Sequence, residues 1–206
     1  MAEPPNQTRI VNAAIARLGG TDKVTSIDDP NSNSARRAKE IWDDMRRALL
    51  ARHPFNFAIK RALLNAAAEA PAFGYERKFQ LPPDCLRWLP PAQGTAESFV
   101  GEREGNFILT DAEAPLKIRY IADVTDVPSW SAGFVLAATI FLAGWLNEGV
   151  TQSNTKQQSM DEMADEAIRL AKRLDGLETG ATRRGAVVSQ SSWLQARNRT
   201  IYGAGH

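Results

Sequence analysis

Between His53 and Leu89 the periodicity of the sequence changes, and that change limits the possible folds more than any other feature. Upstream, Ala38, Ile41, Trp42, Met45 and Leu49 recur at helical spacing with charges elsewhere. Pro54 ends that pattern, because a proline lacks the N–H a helix interior needs and restricts the residue before it. Downstream, Tyr75, Arg77, Phe79 and Leu81 alternate with Glu76, Lys78 and Gln80, the period of a half-buried strand. Pro82, Pro83 and Asp84 then turn the chain into a second short strand at 85–89. A third at 107–109 follows a Gly105-Asn106 turn, and a fourth covers 116–121. Residues 56–64 fit either a strand or a helix.

Helical patterns flank this region on both sides. Ile10, Val11, Ala14, Ile15 and Leu18 define a helix over 8–18 that Gly19-Gly20 stops. A Thr, Asp, Asn and Ser-rich loop leads into the second helix, over 34–52. A third, over 132–147, is apolar on all sides and is therefore expected at the centre of the core. In a fourth, over 155–175, Met160, Met163, Ala164, Ala167, Ile168, Ala171 and Leu174 form the inward stripe, and Asp175-Gly176 closes it. The expected fold is α+β: a bundle of about four helices with a small antiparallel sheet inserted at about 56–122, forming one domain over 1–175. Residues 176–206 hold five glycines and no sustained pattern, so they are expected to form an extended C-terminal arm.

Composition excludes several function classes. The hydrophobic fraction of 43% and charged fraction of 24% suit a globular core, and a net charge of +1 gives no global attraction to nucleic acid or membranes. The apolar run at 132–146 is shorter than the roughly 20 residues that span a bilayer, and MAEPPNQTRI lacks the basic-then-apolar order of a secretory signal. Cys85 is the only cysteine, which excludes an intrachain disulfide and fits a reducing compartment and a buried structural thiol. Charge is unevenly distributed. From residue 36 to 61 there are eight basic side chains against three acidic ones, whereas from 97 to 126 seven acidic side chains face three basic ones.

Candidate chemistry is sparse. Gly19-Gly20 lacks the spacing of a phosphate loop and follows a helix rather than a strand. The two histidines are too few for a metal cluster, and His53 fits a helix terminus, where a cation complements exposed carbonyls. Asp111 and Glu113 have the spacing of an acid–base pair on one strand face, but stand in a turn composition that favours a solvated loop. Ser191 and Ser192 lack a nucleophile elbow. No catalytic residue, metal or cofactor is expected. Of the five tryptophans, Trp42, Trp88, Trp130 and Trp145 fall on or beside predicted elements and are expected in the core. Trp193, in the arm beside Leu194 and followed by Tyr202, has no local core to enter.

Three segments taken in order, HPFNFAIKRALL, APAFGYERKFQLPPDCLRWL and LTDAEAPLKIRYIADVTD, followed by an alanine-rich helix, resemble the phage and prophage family of tail tubular protein A. This is the head-to-tail adaptor, or gatekeeper, of short-tailed viruses, and the likeness covers roughly residues 8–174. The resemblance implies a virion structural protein of the tail or neck, assembled in the host cytoplasm. Such subunits form a ring, typically twelvefold, between the portal protein and the tail nozzle or tail tube, through which genomic DNA passes. Phe55 stands where many relatives carry tryptophan, and the arm lies outside the shared pattern.

A ring needs two different complementary faces on each subunit. Arg36, Arg37, Arg46 and Arg47 on one side, and Glu102, Glu104, Asp111 and Glu113 on the other, are the candidate subunit interface. Some of the acidic loops are expected to face the channel, because a lumen without cation clusters does not hold DNA phosphates. Portal attachment is assigned to the arm, with Trp193, Leu194 and Tyr202 as apolar anchors and Arg183, Arg184, Arg197 and Arg199 as charge partners. A small cellular interaction or scaffold domain, and a hydrolase built on Asp111 and Glu113, are the alternatives.

Overall fold

A computed structural model describes residues 4–21, 23–91, 98–148 and 154–178. Among these residues four helices, α1 (Gln7–Arg17), α2 (Asn33–Ala51), α3 (Ala132–Glu148) and α4 (Asn154–Glu178), enclose six strands in the sequence. The strands are β1 (Ile59–Leu64), β2 (Arg77–Gln80), β3 (Cys85–Leu89), β4 (Gly101–Glu104), β5 (Phe107–Thr110) and β6 (Leu116–Ala122). They form two antiparallel three-stranded sheets, ordered β1-β6-β3 and β2-β5-β4, where the sequence led us to expect one. The α+β architecture is as expected. The open segment 56–64 divides: a short 3₁₀ turn at Asn56–Ala58 leads into β1.

Helix boundaries follow local chemistry. Asn6 caps α1 by accepting the Arg9 N–H at 2.8 Å, and Ser32 caps α2 by accepting the Ala35 N–H at 3.2 Å. At the end of α1, Gly19 adopts a φ of +83°, which lets the Gly20 N–H return to the Ile15 carbonyl at 3.0 Å. The polar loop beyond is bound back to the helix. Asn12 donates to the Val24 carbonyl at 2.8 Å and accepts the Val24 N–H at 2.7 Å, which seats Val24 and Ile27 in the core.

The molecule has three layers and two apolar seams. The first seam lies among the helices and is filled by Ile10, Trp42, Leu49, Phe55 and Phe134, among others, with α3 packed against α1, α2 and α4. The second lies between the sheets, where Leu64, Phe79, Ile108, Leu116, Ile118 and Tyr120 meet. The β1-β6-β3 sheet is therefore the middle layer. Alternation along its strands serves both seams: Leu116, Ile118, Tyr120 and Ala122 of β6 face the outer sheet, and Ile121 faces the helices. In β3, Cys85 and Trp88 join the inter-sheet seam while Leu86 and Leu89 join the helical one, with a register shift between Cys85 and Arg87. Cys85 is only partly buried.

Strand β4, which no periodicity announced, forms a hairpin with β5 through Gly105, whose φ is +56°. Its Gly-Glu-Arg-Glu sequence buries no side chain. Gly101 is required because a Cβ there would lie 2.7 Å from the Leu109 carbonyl oxygen and 3.1 Å from the Thr110 Cβ. Gly101→Ala is therefore expected to push the hairpin apart and to destabilise the protein by about 1–3 kcal/mol, measurable by urea denaturation.

Helix α4 does not stop at Gly176 but continues to Glu178. A tertiary tie explains the difference. Asp175 is 4% exposed; its Oδ1 accepts the Asn56 N–H, while the Asn56 side chain donates to the Asp175 carbonyl, both at 2.8 Å. That clip fixes the last turn across the expected break.

Candidate interaction surfaces

The arginines of α2 divide into two kinds. Arg36, Arg37 and Arg47 are exposed, and Arg36 donates to the Asn33 side chain one turn earlier. Arg46 is 3% exposed and belongs to the interior. Its Nε meets Asp123 Oδ1 at 2.7 Å and its Nη2 meets Asp123 Oδ2 at 3.0 Å, with Asp43 as a further partner. Arg47 adds a contact to Asp123 Oδ2 at 2.9 Å. Arg46 as a subunit-interface residue is thus corrected: its charge is consumed in joining α2 to the chain leaving β6. Burial alone would raise the Asp123 pKa, but hydrogen bonds and charges from Arg46 and Arg47 outweigh it and hold the carboxyl below its usual range. The Arg46 guanidinium is opposed by desolvation yet stabilised further by Asp123 and Asp43, which raises its pKa.

The acidic candidates lie on the outer sheet and its loops. Glu102 and Glu104 are exposed on β4, and Glu113 is exposed in the loop before the cis Ala114–Pro115 bond. Asp111 is exposed but engaged: its Oδ1 accepts the Glu76 N–H at 2.8 Å and its carbonyl accepts from Arg77 Nη1 at 2.7 Å. It ties the start of β2 to the end of β5. Arg183, Arg184, Trp193, Leu194, Arg197, Arg199 and Tyr202 lie outside the described residues.

His53 sits just past the end of α2, with Nε2 3.4 Å from Asp175 Oδ2 and its ring edge-on to Phe55. Partial burial lowers its pKa, and Asp175 opposes that shift. It is a packing and clip residue. Trp42 and Trp130 stack at 6.0 Å in the helical seam, and the Trp130 indole donates to the Val124 carbonyl at 3.1 Å.

Three surfaces escaped the sequence reading. A groove of about 470 Å³ between α1 and α3 is lined by Pro5, Arg9, Ala13, Arg17, Val135 and Leu136. A second, of about 560 Å³, runs between the loop after β1 and the β4–β5 hairpin, with Phe73 exposed at 87% beside Tyr75, Lys78, Glu102, Glu104 and Phe107. The third is the outer edge of α4, where Met163, Leu170, Leu174 and Leu177 remain exposed although Met163 and Leu174 were expected to face inward. A helical stripe read from sequence merges the buried residues with their flank, because residues three or four apart differ by only about 40–60° around the axis.

Among the described residues no group of three His, Cys, Asp or Glu side chains is arranged to hold a metal ion, and no helix is long and apolar enough to cross a membrane. No family model and no curated protein matches the sequence.

Proposed function

We propose that this chain is a structural subunit of a phage head-to-tail adaptor, a ring that joins a portal protein to the tail nozzle or tube and lets DNA pass, with no catalytic turnover. The observation that carries the reading is the placement, on two distinct layers, of exposed arginines on α2, interleaved with Glu40, Asp43 and Asp44, and of exposed glutamates on β4, flanking Arg103. Arg36, Arg37 and Arg47 stand exposed on α2, which packs on β3 and β6, while Glu102 and Glu104 stand exposed on β4, which pairs with β5 on the outer sheet. Two unlike faces on one subunit suit a head-to-tail contact that closes under rotation, with charge setting register and orientation. The segments that carry the family resemblance also build the middle sheet and its packing on the helices, so the resemblance falls on the residues that determine the fold.

Sedimentation velocity with and without the cognate portal tests this. Alone, the protein is expected to sediment as a species far smaller than a ring, and with portal as a ring-sized complex. Removal of residues 179–206 is expected to abolish portal capture with the far-UV circular dichroism preserved, since the arm supplies the apolar anchors and arginines. Capture by the truncated protein would remove the arm assignment, and absence of any complex with portal would remove the adaptor reading.

A further inference from the structure

Helix α4 carries two faces. Met160, Ala164, Ala167, Ile168, Ala171 and Asp175 are buried against the molecule. Beside that face, Met163 is 43% exposed, Leu170 43%, Leu174 39% and Leu177 71%. Met163, Leu170 and Leu177 are each seven residues apart, the spacing of one seam position in a helix pair. The flank of this seam carries Glu166 and Arg173, both exposed, and neither has an ion-pair partner among the described residues.

The order of these residues is nearly the same in both directions about Leu170. Met163 and Leu177 are equidistant from it, and Glu166 and Arg173 stand four residues before and three after. On a helix of 3.6 residues per turn, Glu166 and Arg173 both fall on the same side of the seam. A twofold axis perpendicular to the helix at Leu170 therefore sets Met163 against the partner's Leu177. It also sets Glu166 within about one residue's rise, roughly 1.5 Å along the axis, of the partner's Arg173. By symmetry the pair occurs twice. A twofold axis along the helices, as in a parallel pair, would instead place the partner's Glu166 and Arg173 on the opposite side of the seam, so that no Glu166–Arg173 pair forms.

We propose that α4 is a self-association surface: two copies of this chain pair antiparallel through Met163, Leu170 and Leu177, held in register by two reciprocal Glu166–Arg173 ion pairs. The contact is isologous, so it closes on itself as a dimer and cannot propagate a ring. A single pair of helix edges buries less than the roughly 1,200 Å² of standard stable interfaces, so the dimer is expected to be weak, with a dissociation constant in the micromolar range. Such a dimer would keep subunits apart from larger assembly until a stronger contact competes.

Sedimentation equilibrium of the full-length protein and of three surface variants tests it. The wild type is expected to show a concentration-dependent monomer–dimer equilibrium. Glu166→Arg and Arg173→Glu, each of which faces like charges across the dyad, are expected to weaken dimerisation at least about tenfold. The double variant, which restores opposite charges, is expected to recover most of that loss. A wild type that stays monomeric at about 100 µM overturns the proposal, as would follow if residues 179–206 of the same chain covered the seam. So does a double variant that fails to recover. An assembly that forms but ignores both reversals also overturns it, while leaving the adaptor reading in place.

Discussion

Replacing Asp123 with asparagine is expected to cost about 3 kcal/mol of stability, because the change leaves the Arg46 guanidinium buried with only the exposed Asp43 as its charged partner. For a chain of this size, that corresponds to a fall in Tm of about 6–12 °C, read by differential scanning calorimetry. The cost comes from the stranded cation rather than from loss of a strong bond, since two charges must be desolvated to form the pair. Arg46→Met combined with Asp123→Leu is therefore expected to cost less than Asp123→Asn alone. If the double replacement is as damaging as the single one, packing at this joint, not charge, holds α2 to the middle sheet.

The same carboxylate gives a pH signature whose sign follows from its direction of shift. Asp123 has a folded pKa below the ordinary value of 3.8, so the folded state binds its proton less readily than the unfolded chain. Its contribution to stability is complete above that ordinary value and is lost as pH falls through the lower folded pKa. Wild-type stability should thus decline on acidification below about pH 4, and the gap between wild type and Asp123→Asn should narrow over that interval.

The Arg46–Asp123 joint also marks what could be read from the sequence and what could not. Helices were legible because their signals are local: the apolar spacing of Ile10, Val11 and Ala14, and the stop at Gly19-Gly20, lie within one turn of the boundary they set. The period of two around Phe79 identified a strand for the same reason, and β6 shows its alternation in the burial of Leu116, Ile118 and Tyr120. Sheet order was not legible. β6 lies between β1 and β3, and β5 between β2 and β4, pairings that depend on which apolar faces meet across the chain. β4 went unseen because Glu102, Arg103 and Glu104 have no apolar alternation to display, and its place is set by its partner β5. Arg46 looked like its neighbours Arg36, Arg37 and Arg47 because the residue that neutralises it is 77 positions away. Charge in a sequence tells how many ions a segment holds, whereas burial decides which remain free to meet another molecule.

Phe55→Ala is expected to be the most damaging single truncation in the helical seam, at about 3–5 kcal/mol. Phe55 is fully buried, and its ring meets Phe134 edge-on at 4.9 Å and His53 at 4.8 Å, with Phe57 alongside at 5.9 Å. Phe134 in turn meets Trp130 at 4.9 Å, and Trp130 stacks on Trp42. One aromatic chain thus runs from the exit of α2, through α3, and back to α2. Phe55 also sits between the two points that close the Asp175 clip, His53 and Asn56, so a cavity there frees the entry to β1 as well as the end of α4. Phe55→Leu keeps most of the buried volume and is expected to cost less than half as much, because the penalty grows with the residual cavity. Guanidinium denaturation of both variants checks the order. Equal losses would mean that aromatic edge contacts, worth about 0.5–1.5 kcal/mol each, outweigh volume at this position. A small loss for alanine would mean that His53 and Phe57 collapse into the gap, and that the His-Pro exit from α2 is held by the Asp175 clip rather than by its aromatic neighbour.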